Sequence, residues 1–263
     1  MPYKEIGYTT SMEPLALAQQ IIDASKKHYL VHIRNVPFEG DVLHQFYDEV
    51  TQHVGQCLDL GETAASMSVG ERWTYVCYDP NIPDAYRSSA NAQPLHTDGS
   101  YQIESPDATC MYCINNASQG GETVFITGEK LIDTLKTERP ELFHQLCTIP
   151  VCFSRKFING ENSKTRRIIE KDAQGGIKLT WNYYRVDPES SLVVKQMCEA
   201  FHHYLQTYIM GSDKLQSLHL KPGEAVLWLD EKVLHGRNSF VASLFGDRNL
   251  AKTCIKLSAL SSE

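Results

Sequence analysis

The sequence has no long apolar run, no excess of basic residues and no repeated or low-complexity tract. It carries 25 basic residues against 32 acidic ones, which gives a formal net charge of -7 at pH 7. This balance argues against a protein that holds nucleic acid on a basic face, although one or two local cations suffice to bind a small anion. Without an apolar stretch of about 20 residues there is no candidate membrane span. We therefore expect neither nucleic-acid nor membrane partners.

The sequence also lacks the features of a disulfide-rich secreted protein. Its start, MPYKEIGYTT, has no apolar segment of the kind found in signal peptides, and its eight cysteines are scattered. Cys110 and Cys113 form one C-x-x-C, but no second pair completes a zinc set. These features predict reduced, buried thiols in a cytoplasmic protein.

No linker rich in proline, glycine or serine divides the 263 residues, so we predict a single domain, 1–263. Its N-terminal portion, about 1–70, is predicted to contain helices and a strand. From about 71 to 260, roughly eight short β-type runs are interrupted by helices, one of them predicted to begin at Asp187-Pro188. This pattern predicts a mostly β fold with flanking helices and a cupin-like jelly-roll core, the double-stranded β-helix.

The stretch QPLHTDGSYQ places His96 and Asp98 two positions apart. On a strand, residues at this spacing face the same side, so both side chains can reach one ion. The later stretch VLWLDEKVLHGRNSF presents His235 just after a buried strand. Two neutral imidazoles and one carboxylate on one face of a metal are the ligands of mononuclear ferrous oxygenases. The alternatives from these residues alone are a surface turn at Asp98-Gly99 and a zinc site.

HTD, GGETVFI and LHGRNSF…DRNLAK, in this order, resemble the taurine dioxygenase / 2,4-D dioxygenase superfamily of Fe(II)- and 2-oxoglutarate-dependent oxygenases. The wording LHGRNSF leans toward the clavaminate synthase-like and amino-acid hydroxylase branch of this superfamily. The resemblance runs from about Trp73 to Leu257. It implies that His96, Asp98 and His235 are the iron ligands of a catalytic centre that uses Fe(II), 2-oxoglutarate and O₂.

The same resemblance assigns further binding residues. It implies that Thr123 and Arg248 bind the far carboxylate of 2-oxoglutarate, for which a guanidinium offers a bidentate grip that lysine does not reproduce. Many relatives carry a second arginine, which binds the substrate anion, where this chain has Lys252. Lys252 either faces the pocket as a point charge or is solvated at a strand edge. Further substrate-site candidates are Arg237, expected to face inward or to pair with a carboxylate outside, and Tyr183 and Tyr184.

The resemblance implies an enzyme that oxidises, and most commonly hydroxylates, a C–H bond of a small, polar, carboxylate-bearing, amino-acid-like metabolite, with succinate and CO₂ as co-products. Desaturation, cyclisation and epimerisation at the same centre remain open. So do a zinc-dependent hydrolase and a non-catalytic binding module. The irregular segment 79–95, just before His96, is predicted to be a substrate lid. Nothing in the sequence indicates an oligomeric state.

Overall fold

A computed structural model of the chain describes residues 3–58, 72–157, 160–172 and 174–257. The described helices and strands, in chain order, are β1 (Tyr3–Gly7), α1 (Pro14–Ser25), β2 (Leu30–Arg34), α2 (Gly40–Val54), β3 (Gly55–Leu58), β4 (Thr74–Cys77), β5 (Gln93–His96), β6 (Ala108–Asn115), β7 (Thr123–Thr127), α3 (Gly128–Glu138), α4 (Pro140–Thr148), β8 (Val151–Phe157), β9 (Gly160–Arg166), β10 (Ile169–Lys171), β11 (Ile177–Leu179), α5 (Leu192–Tyr204), β12 (Gln216–Leu218), β13 (Ala225–Leu229), β14 (Val233–Arg237) and β15 (Asn249–Leu257).

Two sheets form the centre of the molecule. The larger has the strand order β1-β2-β13-β6-β15-β3, with β4 also paired to β15. The smaller has the order β12-β7-β14-β5. Two hairpins, β8-β9 and β10-β11, add two short sheets. Strands that are distant in sequence are therefore neighbours in both large sheets.

Apolar side chains from both sheets meet in one buried cluster. Phe125 and Val233 from the smaller sheet pack with Met111, Val226 and Trp228 from the larger. The rings of Phe125 and Trp228 lie 5.5 Å apart, centre to centre. These contacts join the two sheets into a jelly roll. The predicted mostly β fold with flanking helices is confirmed.

The helices cover the outer faces of the two sheets. Leu227, which alternates with Val226 and Trp228 along β13, points the other way into a cluster with α1 and α2. Helices α3, α4 and α5 pack on the outer face of the smaller sheet, against Val124 and Leu234. Because β13 is covered on both faces, its sequence AVLWL is apolar throughout. Among the described helices, none is long and apolar enough to cross a membrane.

The predicted start of the long helix is wrong. Its first residue is Leu192, and the Ser191 hydroxyl accepts a hydrogen bond from the Val194 N–H. The carboxylate of Asp187 instead accepts from the Glu189 N–H at 2.8 Å, and the Asp187 carbonyl accepts from the Ser190 N–H at 3.0 Å. Asp187-Pro188 therefore belongs to a turn before the helix. The prediction of a single domain stays a prediction.

Candidate metal centre and pocket

The three predicted metal ligands meet at one edge of the smaller sheet. Strand β5 ends at His96, which lies opposite His235 of the antiparallel neighbour β14. The two imidazole ring centres are 4.2 Å apart. Asp98 is not on the strand, as the sequence predicted, but in the turn that follows it, where Gly99 has φ +58°. This turn brings the Asp98 carboxylate back toward both imidazoles.

The ligand atoms of these residues face a common centre. His235 Nε2 lies 3.7 Å from Asp98 Oδ2, and His96 Nε2 lies 3.9 Å from Asp98 Oδ1. One ligand atom from each residue lies within 4.8 Å of the other two. His96 Nδ1 is 2.8 Å from the Pro94 carbonyl oxygen, which accepts its proton. That hydrogen bond leaves the Nε2 lone pair directed at the shared centre.

The surroundings of the centre favour the protonation states that metal ligands need. Burial, followed by the nearby His96, holds the pKa of His235 well below its usual value, so the imidazole is neutral. Burial on its own raises the pKa of Asp98. The positive charge of Lys252 is the largest opposing effect. Together with the electrostatic interactions with His235 and His96 it outweighs burial, so the pKa of Asp98 is lowered and it stays a carboxylate.

Lys252 lies inside the pocket, beside the Asp98 carboxylate. Its Nζ donates to Asp98 Oδ1 at 2.8 Å, and its side chain is only 12% exposed. The expectation of a solvated strand-edge lysine is therefore wrong. The Thr109 hydroxyl donates to the other oxygen, Asp98 Oδ2, at 3.3 Å. Hydrogen bonds from protein side chains therefore orient both carboxylate oxygens of Asp98.

Asp230 is a site residue that the sequence reasoning missed. It is fully buried and accepts hydrogen bonds from the Asp98 N–H at 3.1 Å and from Trp228 Nε1 at 3.3 Å. Its Oδ1 lies 3.8 Å from His235 Nδ1. Burial and the charge of Asp98 raise the pKa of Asp230 well above its usual value. An acidic residue directly after the apolar run AVLWL was the signal in the sequence.

A pocket of about 460 Å³ opens over the three ligands. Thr123 lies on β7, next to β14, and Arg248 immediately precedes β15. The pocket is also lined by Arg87, which lies in the segment 79–95, and by Arg185, which directly follows the candidates Tyr183 and Tyr184. The pocket brings together all nine predicted site residues, which are His96, Asp98, Thr123, Tyr183, Tyr184, His235, Arg237, Arg248 and Lys252. Tyr101 and Arg155 also line the pocket and were not predicted from the sequence.

Arg248 is buried and fixed by the GGET turn. Its Nε and Nη2 donate to the Gly121 carbonyl at 3.3 and 3.1 Å. A Cβ on Gly121, whose φ is +78°, would lie 3.0 Å from Arg248 Nε. Burial and then the charge of Arg237 lower the pKa of Arg248 to about 9. Both guanidinium groups lie over the Phe240 ring, at 5.0 Å for Arg237 and 5.5 Å for Arg248.

Arg237 faces the pocket and donates hydrogen bonds to backbone carbonyls. Its Nη2 donates to the carbonyls of Tyr86, Ser89 and Asn91 at 3.0, 2.9 and 2.6 Å. Among the residues that the structure describes, its Nε and Nη1 have no hydrogen-bond partner. The expected pairing with a carboxylate outside the pocket is wrong. Arg237 instead ties the segment 79–95 to β14.

The two tyrosine candidates lie in a 3-10 turn, Tyr183–Arg185. The Tyr183 hydroxyl donates to Glu199, and its ring stacks on His202 with a centre-to-centre distance of 4.0 Å. The Tyr184 hydroxyl shares a hydrogen bond of 2.6 Å with that of Tyr86. Tyr184 is therefore a second link between the segment 79–95 and the pocket wall.

Comparison with known families supports the resemblance seen in the sequence. The family described as "Taurine catabolism dioxygenase TauD, TfdA family" matches residues 5–252, nearly the whole chain. The chain belongs to this family. Membership of its clavaminate synthase-like branch stays a prediction.

Two curated proteins similar to this TauD/TfdA member are gamma-butyrobetaine dioxygenases. The enzyme from Pseudomonas sp. (strain AK-1) is 25% identical over 160 residues, which are 59% of this chain and 41% of that protein. The enzyme from Homo sapiens is 24% identical over 163 residues, which are 59% of this chain and 42% of that protein. The matched part thus spans less than half the length of these relatives.

Solved structures share the fold of this TauD/TfdA chain. An asparagine oxygenase in complex with Fe(II), 2S,3S-3-hydroxyasparagine and succinate superposes with a TM-score of 0.69 and 10% identity, over 95% of this chain and 93% of that one. PvcB from Pseudomonas aeruginosa gives a TM-score of 0.61 and 15% identity, over 97% of this chain and 86% of that one. At such identities the likeness concerns the fold.

Proposed function

We propose that this protein is an Fe(II)- and 2-oxoglutarate-dependent oxygenase. In this proposal it oxidises, most commonly by hydroxylation, a C–H bond of a small, polar, carboxylate-bearing, amino-acid-like metabolite. The observation that carries the proposal is the convergence of His96, Asp98 and His235 at the base of a pocket that also contains Arg248 and Thr123. Family membership adds independent support.

The residues present fit a ferrous ion. Two neutral imidazoles and one carboxylate form the donor set of this class of iron site, and they leave one side of the metal open. His96 is oriented by Pro94, and Asp98 is oriented by Lys252 and Thr109, so the ligands need little rearrangement. When bound, the iron would supply oxidative chemistry with O₂, coupled to the conversion of 2-oxoglutarate to succinate and CO₂.

Arg248 and Thr123 would hold the far carboxylate of 2-oxoglutarate. Arg248 is buried, fixed by Gly121 and close to a second guanidinium, so an anion placed there would relieve the repulsion between the two. The Thr123 hydroxyl, buried at the same pocket wall, would donate a further hydrogen bond. This arrangement would orient the co-substrate toward the three metal ligands.

Arg237 and Tyr184 would hold the segment 79–95 over the pocket. Arg237 binds three backbone carbonyls of the segment, and Tyr184 binds Tyr86. A closed segment would exclude water from the reacting groups, which prevents the loss of reactive species to solvent. The predicted lid role of this segment rests on these contacts.

The zinc-hydrolase alternative explains less of the pocket. The three ligands would also suit zinc, but hydrolysis gives no role to a buried arginine and threonine placed together at the pocket wall. A non-catalytic binding module likewise gives no reason for three oriented metal ligands. These alternatives differ from the proposal in one measurable way, because neither needs O₂.

The test is an anaerobic titration with Fe(II) and 2-oxoglutarate, followed in the visible region. We expect the weak charge-transfer band of the chelated keto acid, and O₂-dependent release of succinate afterwards. His235→Ala should abolish both signals. His53→Ala, at a solvent-accessible histidine on α2 near Glu49, is the matched control and should retain them. If the wild-type protein showed no charge-transfer band and released no succinate, the proposal would be refuted.

Product analysis distinguishes the possible reactions at the same centre. Hydroxylation adds one oxygen atom to the substrate, whereas desaturation or cyclisation removes two hydrogen atoms and epimerisation leaves the mass unchanged. Mass spectrometry of the product from the first active substrate decides among them. We expect the gain of one oxygen atom.

A further inference from the structure

The pocket carries far more positive charge than the chain as a whole. Its described lining residues include six cationic side chains and two carboxylates, although the chain has a formal net charge of -7. Placing like charges in one partly enclosed cavity is unfavourable unless anions enter it. 2-Oxoglutarate accounts for one anion, at Arg248. The cationic lining residues are Arg87, Arg155, Arg185, Arg237, Arg248 and Lys252.

Three of these cations contact the metal-ligand Asp98, the segment 79–95 or the proposed co-substrate site. Lys252 pairs with Asp98, and Arg237 holds the carbonyls of the segment 79–95. Arg248 contacts Gly121 and is assigned to 2-oxoglutarate in the proposed function. Lys252 is therefore poorly placed to bind the substrate anion, which is the role that the family resemblance suggested for it. Another part of the pocket has to supply that role.

Arg155 and Arg185 form a second cationic group, arranged around Tyr101. Arg155 Nη1 donates to the Tyr101 hydroxyl at 2.8 Å. The guanidinium carbons of Arg155 and Arg185 lie 5.6 and 5.7 Å from the centre of the Tyr101 ring. Two guanidinium groups on one aromatic ring form a single cluster of concentrated positive charge.

This cluster is built from elements other than those that carry the 2-oxoglutarate candidates. Arg155 lies on β8 and Arg185 in the turn Tyr183–Arg185, whereas Thr123 lies on β7 and Arg248 immediately before β15. Arg155 and Tyr101 are buried, and Arg185 is half-buried. The planar guanidinium of each arginine presents donors whose geometry matches that of a carboxylate.

We propose that Arg155 and Arg185, positioned by Tyr101, form the subsite that binds a carboxylate of the organic substrate. This inference rests on the proposed function of the pocket and adds to it the residues that select the substrate. The primary substrate is then an anion held at Arg155 and Arg185, with its reactive C–H bond directed toward His96, Asp98 and His235. Lys252 keeps Asp98 in place and takes no part in substrate selection.

The test uses the full chain loaded anaerobically with Fe(II) and 2-oxoglutarate. The probes are the common L-amino acids and 2-hydroxy acids, each compared with its own carboxamide. Binding is followed by the change in the visible band, and turnover by succinate release after O₂ is admitted. For every probe that binds, we expect the acid to bind at least about 10-fold more tightly than the amide, because a hydrogen-bonded charge contributes about 1.5–3 kcal/mol.

Variants then assign this preference to the cluster. Arg185→Gln and Arg155→Gln should each weaken the binding of the best acid by about 10- to 100-fold, while the affinity for 2-oxoglutarate stays unchanged. Arg185 is the more accessible of the two, and a normal 2-oxoglutarate band in its variant shows that the fold is intact. Arg167→Gln is the matched control, because this exposed arginine pairs with Glu170 outside the pocket.

Three results would overturn the proposal. They are an amide that binds as well as its acid, an acid whose affinity is the same in both arginine variants, and a wild-type protein that responds to none of the acids. Each of these can occur while the 2-oxoglutarate band is present, so they count against the subsite alone. A missing band in the wild-type protein refutes the proposed function as well.

Discussion

At the scale of single residues, the site depends on side chains whose spacing in the sequence could be read directly. His96, Asp98 and His235 were identified from the residue types and from the family resemblance, and the structure brings them to one centre. Asp230 and Arg155 were not identified. Their importance depends on burial and on neighbours from distant segments, neither of which a local motif shows.

The guanidinium of Arg248 is expected to be essential for tight binding of 2-oxoglutarate. Arg248→Lys keeps the positive charge but loses the planar pair of donors. We expect a dissociation constant for 2-oxoglutarate about 10- to 100-fold higher, measured by the anaerobic titration. Arg139→Lys, on the surface between α3 and α4, is the control. An unchanged affinity in Arg248→Lys would show that the co-substrate binds elsewhere.

Gly121 is expected to affect two properties: stability, through its backbone conformation, and 2-oxoglutarate binding, through its contact with Arg248. Gly121→Ala places a Cβ 3.0 Å from Arg248 Nε at a φ of +78°, so it should cost about 1–3 kcal/mol of unfolding free energy and weaken 2-oxoglutarate binding. Gly175→Ala is a matched control, because φ there is +82° and, among the residues that the structure describes, no atom beyond the adjacent residues lies within 4 Å of the added Cβ.

Urea unfolding and 2-oxoglutarate titration separate the two effects. Both glycine variants should lose stability, and only Gly121→Ala should lose affinity. If both variants lost affinity to the same degree, the effect would come from general destabilisation and not from the contact with Arg248.

At the scale of secondary-structure elements, the sequence predicts strands better than it predicts their ends. The apolar run of β13 is clear because both of its faces are buried. The end of β5 at His96 is not clear from the sequence, because the turn at Asp98 depends on residues far along the chain. Lys252 donates a hydrogen bond to the Asp98 carboxylate, and the Asp98 N–H donates one to Asp230. Likewise, Asp187-Pro188 has the composition of a helix start but serves a turn.

The segment 79–95 is expected to depend on Arg237. Arg237→Gln removes hydrogen bonds to three carbonyls, so backbone amides of residues 84–92 should exchange their hydrogens faster, by about tenfold or more. Hydrogen–deuterium exchange measured by mass spectrometry provides the test, with β13 as an internal reference. Equal exchange in the variant and the wild-type protein would mean that other contacts hold the segment.

At the scale of the whole molecule, two sheets enclose the site and helices cover their outer faces. The jelly roll was predictable from the number and spacing of the strands. The register that sets His96 opposite His235 was not predictable, because no local feature of the sequence determines which strands become neighbours. The same holds for the concentration of positive charge in one pocket of an acidic chain.

The core between the sheets is expected to contribute strongly to stability. Phe125→Ala removes a buried ring that contacts Trp228, and should lower the unfolding free energy by about 3–5 kcal/mol in urea. Phe245→Ala removes the same number of atoms from a side chain that is 70% exposed, and should change stability by less than about 0.5 kcal/mol. Similar losses in the two variants would contradict this assignment of the core.

The most direct test of the metal centre is a crystal grown without oxygen in the presence of Fe(II) and 2-oxoglutarate, with diffraction recorded at the iron absorption edge. We expect one strong iron peak within bonding distance of the Nε2 atoms of His96 and His235 and of an Asp98 carboxylate oxygen. Iron bound at another place, or no iron peak between these three side chains in a crystal that contains the metal, would contradict this expectation.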